Sequence, residues 1–417
     1  MTAFRFLHAA DLHLDSPLRG LARDPDAPVE RIRRATRDAL SNLVDLALQE
    51  RVAFVLLAGD LYDGDWRDWG TGQFLIGQLA RLTAAGIRVV AISGNHDAAS
   101  QITRHLRWPA GAVLLPVDRP ATVEWDDLGV AVHGQGFHRR DVAENLAVAY
   151  PAPLPGRLNI GLLHTAAGRG GHENYAPCTV EQLSAHGYDY WALGHVHARE
   201  VIAERPWIVF PGNLQGRDVN EAGAKGASIV TVRDGAIAGL EHRALDVVRW
   251  ARVEIDLAGA ADEEEALSRL RPALAEALAD AQGRLLALRL VLAGTCAAHA
   301  ALSADPAALR EKLRAEAMAT AAGQEVWLED VRLATRAPAA ARARDDALGT
   351  LLRGIAEAAA PDLLAPLQAY ANAMLNRAAL RARLGPDHPA VRLAAGELPP
   401  DLLDRARALL LARLGEG

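Results

Sequence analysis

Along the first half of the chain, short apolar runs alternate with stretches whose apolar residues recur every three or four positions. Phe4, Phe6, Leu7, Ala9 and Ala10 crowd into seven positions and predict a buried strand over 4–10. Residues 29–50 put Ile32, Leu40, Leu43, Val44 and Leu46 on one broad face, which predicts an amphipathic helix. Its arginines, Arg31, Arg33, Arg34 and Arg37, fall elsewhere and read as a solvated face. A strand over 52–58, a helix over 73–85 and a strand over 87–93 follow, and this alternation indicates βαβ units. From 112 the rhythm changes. Runs at 112–115, 121–125 and 130–136 are too close for helices between them, and 158–164 is a further strand. A short helix over 179–187 can be capped by Thr179, and strands over 188–193, 200–203, 207–210, 227–232 and 237–242 complete the run. The class is α/β, and the arrangement that fits is a sandwich of two stacked sheets with helices outside.

The pattern resets near residue 246. Strands over 251–257, 284–292 and 326–333 enclose helices over 262–281 and 306–319, the second capped by Asp305, as expected of a small α+β domain over 246–337. Residues 338–417 hold no strand-like run and read as Ala/Leu/Arg helices broken by prolines. Two apolar stripes mark them: Met374, Leu375, Leu380 and Leu384, then Leu402, Leu403, Leu409, Leu410 and Leu414. The first domain spans 1–245.

Five strand-like runs in that domain end in metal-ligand residue types. Asp11 and His13 follow the first, Asp60 and Asp63 the second, and Asn95, His96 and Asp97 the third. His164 closes the fourth, and His195 and His197 the fifth. In open α/β sheets the loops at the carboxyl ends of strands converge on the ligand site, so five such ends can fill two adjacent coordination spheres. Asp, Asn and His without thiolate suit manganese, iron or zinc in a catalytic role better than a structural zinc site. A carboxylate such as Asp60 can bridge two ions. Two ions roughly 4 Å apart stabilise both the attacking and leaving oxygens of an in-line phosphoryl displacement and lower the pKa of water. His8, His133, His138, His172 and His186 read as packing or surface histidines.

Composition narrows this reading little. Half of the 417 residues are hydrophobic, as in ordinary globular proteins, and no apolar run reaches the roughly 18 to 20 residues of a membrane span. The run over 4–10 is too short for a secretory leader. Two cysteines, Cys178 and Cys296, suit a reducing cytoplasm and give no disulfide framework. The net charge of -7 argues against a generally basic nucleic-acid binder, although two divalent cations would add four positive charges locally. Lys225 and Lys312 are the only lysines; the rest of the positive charge is Arg, which suits phosphate recognition but also fits a GC-rich genome.

Asp-x-His, Gly-Asp-x-x-Asp, Gly-Asn-His-Asp, a lone His and Gly-His-x-His, in this order, resemble the calcineurin-like metallophosphoesterases. The opening His8-Ala-Ala-Asp-Leu-His-Leu-Asp-Ser-Pro-Leu is similar to that of the SbcD-type DNA repair nucleases, the YhaO-like branch in particular. So are the stretches Gly171 to Pro177, Tyr188 to His197 and Pro211 to Arg217. The resemblance covers 4–233 closely and is only architectural beyond. It implies a metallophosphoesterase sandwich followed by a capping domain and a helical tail. It implies that Asp11, His13, Asp60 and His197 hold one metal and Asp60, Asn95, His164 and His195 a second. His96 would face the scissile phosphate as general acid, oriented by Asp63. Manganese is the implied ion. The implied partners are DNA and an SMC-like ATPase of the SbcC or YhaN kind, docked on the terminal helices, with a homodimer possible and no membrane.

The function expected is hydrolysis of DNA as an exo- or endonuclease in repair. A phosphodiesterase or phosphatase for small substrates would use the same metals. A scaffold subunit of an SMC-like ATPase complex, with little hydrolysis of its own, is the third reading, and the intact His96 speaks against it.

Overall fold

The computed structural model describes residues 3–17, 26–63, 69–98, 106–169, 173, 175–338, 360–375, 388–398 and 402. Two compact units divide the chain. Residues 1–251 with 281–287 form the first, and 252–280 with 288–417 the second.

The first unit is a mixed α/β sandwich of two six-stranded sheets. One sheet has the order β12-β11-β1-β2-β3-β4. Its middle strands, β1 (Ala3–Ala9), β2 (Phe54–Ala58), β3 (Arg88–Ile92) and β4 (Ala112–Leu114), run parallel, and β11 (Gly226–Arg233) and β12 (Ala236–Ala244) add antiparallel. The other has the order β5-β6-β7-β8-β10-β9. Here β6 (Val130–Gly134), β7 (Leu158–His164), β8 (Tyr190–Gly194) and β10 (Trp207–Phe210) are parallel. β5 (Ala121–Trp125) and β9 (Glu200–Glu204) close the edges antiparallel.

Burial on both faces explains why the central strands are near-continuous apolar runs instead of alternating ones. Phe6, Phe54, Leu56 and Val90 point into the core between the sheets, against Ile160, Leu162 and Tyr190. The intervening Leu7, Val55, Leu57 and Val89 point the other way, against Leu40, Leu43 and Val44 of α1 (Val29–Glu50) and Leu75 and Leu79 of α2 (Trp69–Ala84). Outside the second sheet, Trp191, Ile208 and Phe210 pack with Leu183 of α3 (Val180–Ala185). Thr179 caps α3 in a reciprocal box with Gln182.

The second unit carries most of a three-stranded sheet, β13-β14-β15: β13 (Val248–Asp256), β14 (Leu285–Thr295) and β15 (Val326–Arg336). With it go α4 (Glu263–Ala281), a short α5 (His299–Ala304) that the sequence pattern did not suggest, and α6 (Pro306–Ala321), capped by Asp305. Of the predicted tail, α7 (Ala360–Met374) and α8 (Pro389–Ala394) are described. They meet through Ala371, Leu375, Leu393 and Ala394. Of the first predicted stripe, Met374, the last residue of α7, is exposed and Leu375, just beyond it, is buried. Leu380, Leu384, Leu403, Leu409, Leu410 and Leu414 lie outside the described residues.

Candidate metal centre

The strand order sets the site. β1, β2 and β3 lie side by side in one sheet, β7 and β8 in the facing one, and their carboxyl-end loops meet. The first two loops are laced by their backbones: Asp11 N–H donates to Gly59 O at 3.1 Å, and His13 N–H to Asp60 O at 3.0 Å. Asp11, His13, Asp60 and His195 all adopt positive φ (52°, 42°, 50° and 97°), a region that non-glycine residues avoid. Strain of this kind persists where surrounding contacts over-determine it, typically at functional sites. Two glycines let the loops close up. A Cβ on Gly94 would stand 2.3 Å from Asp60 Oδ1, and one on Gly194 would stand 1.9 Å from Ala58 O.

All nine residues singled out in the sequence come together here. Asp11, His13, Asp60, Asn95 and His164 are buried, whereas His96, His195 and His197 are half-buried and face a cavity of about 450 Å³. Donor atoms fall into three overlapping groups, Asp11/His13/His197, His13/Asp60/His96 and Asp11/Asp60/His164, each within 4.8 Å. Around one cation with bonds of about 2.1 Å, donors sit about 3–4 Å apart. Asp60 belongs to two groups: its Oδ2 lies 3.4 Å from His164 Nε2 and 3.8 Å from His13 Nε2.

Proton bookkeeping tests whether cations fit. His164 Nδ1 lies 2.9 Å from Ala58 O, a carbonyl that can only accept, so Nδ1 carries the hydrogen. Its Nε2 then faces Asn95 Oδ1 at 3.0 Å and Asp60 Oδ2. A neutral imidazole would aim a lone pair at oxygens there, a clash that a second proton or a cation removes. Burial pulls the His164 pKa down, but the Asp60 charge outweighs it and lifts it to about 9. His13 Nε2 and His197 Nε2 lie 3.1 Å apart, close enough for one ring to donate to the other or for both to turn lone pairs to one cation. Burial pushes the Asp11 carboxyl up to about 6, the mark of a buried carboxylate short of positive charge. The donor set fits divalent cations.

His96 stands apart from the buried donors. Its Nδ1 is 2.6 Å from Asp63 Oδ1, and this carboxylate raises the imidazole pKa above its ordinary value against the effect of burial. Its backbone N–H donates to Asp60 Oδ1 at 2.9 Å. Asp63 also accepts from Ser16 Oγ.

Three residues escaped the sequence reading or were quoted without a role. Asp97 accepts from the backbone N–H groups of Leu61 and Gly94 and so ties the second loop to the third. Glu221 lies on the 3-10 turn Val219–Glu221 and accepts from His197 Nδ1 at 2.7 Å; burial raises its pKa, but His197 and Arg217 hold it well below the carboxylate range. Arg217 spans Glu221 (2.7 Å) and Asp63 (3.5 Å). Asp97 was visible in the Gly-Asn-His-Asp motif. Glu221, 24 residues beyond His197, belongs to no strand-end pattern. The set-aside histidines make other contacts: His8 with Tyr190 and Leu193, His133 with Thr122 and Asn159, and His186 with Pro151. His172 lies outside the described residues.

Residues 4–199 match the calcineurin-like phosphoesterase family, and residues 250–336 match the middle domain of metallophosphoesterase YhaO. The chain is 36% identical over 307 residues to the uncharacterized metallophosphoesterase YhaO of Bacillus subtilis, covering 71% of this chain and 73% of that one. It is 24% identical over 298 residues to the DNA double-strand break repair protein Mre11 of Methanopyrus kandleri, covering 64% of this chain and 62% of the relative. A stretch of 100 residues is 32% identical to a subunit of the nuclease SbcCD of Rhodobacter capsulatus, covering 24% of this chain and 22% of the relative.

Proposed function

Because this chain belongs to the YhaO-type calcineurin-like metallophosphoesterases, its chemistry is metal-dependent phosphoester hydrolysis, and we propose that the ester is a DNA phosphodiester. The observation that carries the reading is the paired set of converging donors, His164 Nε2 facing Asp60 and Asn95, and His13 Nε2 facing His197 Nε2. Asp11, His13, Asp60 and His197 would hold one divalent cation and Asp60, Asn95, His164 and His195 the other, with manganese as the ion. Bound there, the cations supply Lewis acidity at the phosphoryl oxygens and an acidified water.

The chain's own residues do the rest. His96, on the cavity side, holds its proton because Asp63 stabilises the imidazolium, and it delivers that proton to the leaving oxygen. As an imidazolium it also hydrogen-bonds the charge that develops on the phosphoryl group. Asp60 fixes the Asn95–His96 loop through the His96 N–H. The names of the Mre11 and SbcCD relatives support DNA as substrate and a repair role. The region over 246–337 would cap the phosphoesterase core, and the helices of 338–417 would dock an SMC-like ATPase.

A second reading has one observation in its favour. A cavity of about 450 Å³ is the size of a small-molecule site, so a small phosphodiester is the alternative substrate. The test is Mn²⁺-dependent digestion of end-labelled duplex and single-stranded DNA beside a chromogenic phosphodiester, with His96→Ala as control. Degradation of DNA by the wild type and not by the variant is the expected result. Turnover of the small ester alone would select the alternative.

A further inference from the structure

The imidazole of His197 is steered from outside the metal centre. Its Nδ1 lies 2.7 Å from Glu221 Oε1 and 3.2 Å from Arg217 Nη2, which can only donate; the shorter contact is to an ionised carboxylate with no proton to give, and it sets the hydrogen on Nδ1. Nε2 is then the lone-pair nitrogen. It faces inward, 3.9 Å from Asp11 Oδ1 and 3.1 Å from His13 Nε2.

Glu221 itself has little freedom. Its Oε2 accepts from Asn213 Nδ2 and from the Arg217 backbone N–H, each at 2.8 Å, and its Oε1 also accepts from Arg217 Nη2 at 2.7 Å. The turn that carries it is capped by Asp218, and a Cβ on Gly216 would come within 2.6 Å of the Glu221 carbonyl. The Arg217 guanidinium reaches further, with Nη1 3.5 Å from Asp63 Oδ2. A single arginine therefore bridges the carboxylate behind His197 and the carboxylate behind His96.

We propose that Glu221 is a positioning residue that fixes His197 as an Nε2 metal ligand, and that Arg217 is the strap holding this pair in register with Asp63 and His96. The inference rests on the metal-centre reading. A carboxylate behind a ligating histidine sets its tautomer and orientation, and losing such a partner typically costs 10–100-fold in metal affinity.

Glu221→Gln keeps the shape of the side chain and an oxygen for Asn213 and Arg217, but removes the acceptor-only anion. Calorimetric Mn²⁺ titration of the metal-free wild type is expected to show two tight ions. In Glu221→Gln one of them should weaken by about 10–100-fold and the other stay within about twofold, with the metal-free melting temperature unchanged. Long-range ¹H–¹⁵N spectra of the metal-free wild type, labelled at histidine, should assign His197 to the Nδ1–H tautomer. Two ions bound equally by wild type and Glu221→Gln would overturn the positioning role alone; no tight Mn²⁺ in the wild type would overturn the metal-centre reading instead. An Nε2–H tautomer for His197 would also overturn the proposal, and it needs no variant. An affinity loss matched by a fall in the metal-free melting temperature would reduce Glu221 to a structural residue and overturn it too.

Discussion

Removing the imidazole of His96 takes away the proposed proton donor to the leaving oxygen but leaves the buried donors in place. His96→Ala is expected to lower kcat by about 10²–10⁴-fold while Mn²⁺ binding, read by calorimetry, persists. A different histidine contributes to acid stability. His8 is fully buried on β1; its Nε2 lies 3.1 Å from the Leu193 carbonyl and so carries the hydrogen, leaving Nδ1 to accept from the Tyr190 hydroxyl at 3.0 Å. A neutral ring satisfies both contacts. Burial lowers its pKa from 6.5 to about 3, against the smaller opposing effect of Leu193. Between these values the unfolded chain binds a proton that the folded chain refuses, so stability is present above pH 6.5 and is lost as pH falls toward 3. From pH 6.5 to 4.5 this one group should cost about 2–3 kcal/mol. Urea titrations at the two pH values should show that loss in the wild type and a loss smaller by that amount in His8→Asn.

At the scale of elements, the loops meet because glycine stands where the backbones touch. Gly194→Ala would drive a methyl into the Ala58 carbonyl of the neighbouring sheet. A destabilisation of about 1–3 kcal/mol or more is expected, together with weaker Mn²⁺ binding, since β8 carries His195 and His197 just beyond that point. In the core between the sheets, Ile160→Ala should cost about 2–5 kcal/mol by thermal melting. Elements defined by local pattern were legible in the sequence. The buried strands announce themselves as apolar runs, α1 by its periodic stripe, and α3 and α6 by Thr179 and Asp305. Two failures have separate causes. α5, of six residues, is too short for a period to appear, and α2 starts at Trp69, ahead of the predicted 73, through a Gly-containing turn of low helix propensity. The candidate site was legible because each donor type follows its own strand. Glu221 was not, because its bond to His197 exists only after β11 has folded back beside β1.

On the scale of the whole molecule, no helix among the described residues is long and apolar enough to cross a membrane. With a net charge of -7, the proposed DNA affinity would have to come from local contacts at the site. Binding should therefore be weak and fall steeply with salt, since phosphate contacts release counterions. Among the described terminal helices, Tyr370 and Met374 are exposed on α7 while Leu375 and Leu393 close its contact with α8. On the proposed function, a chain ending at residue 337 is expected to keep Mn²⁺-dependent hydrolysis and to lose capture of the proposed SMC-like ATPase in pull-down. Unchanged capture would remove the docking role from the tail.

The central claim is a pair of cations gathered by five strand ends, with Asp60 between them. Electron paramagnetic resonance of the metal-free protein titrated with Mn²⁺ tests it most directly. Two ions per chain, a spin-coupled signal at saturation, and reduction to one uncoupled ion in His164→Ala are expected. A single uncoupled Mn²⁺ in the saturated wild type would contradict it.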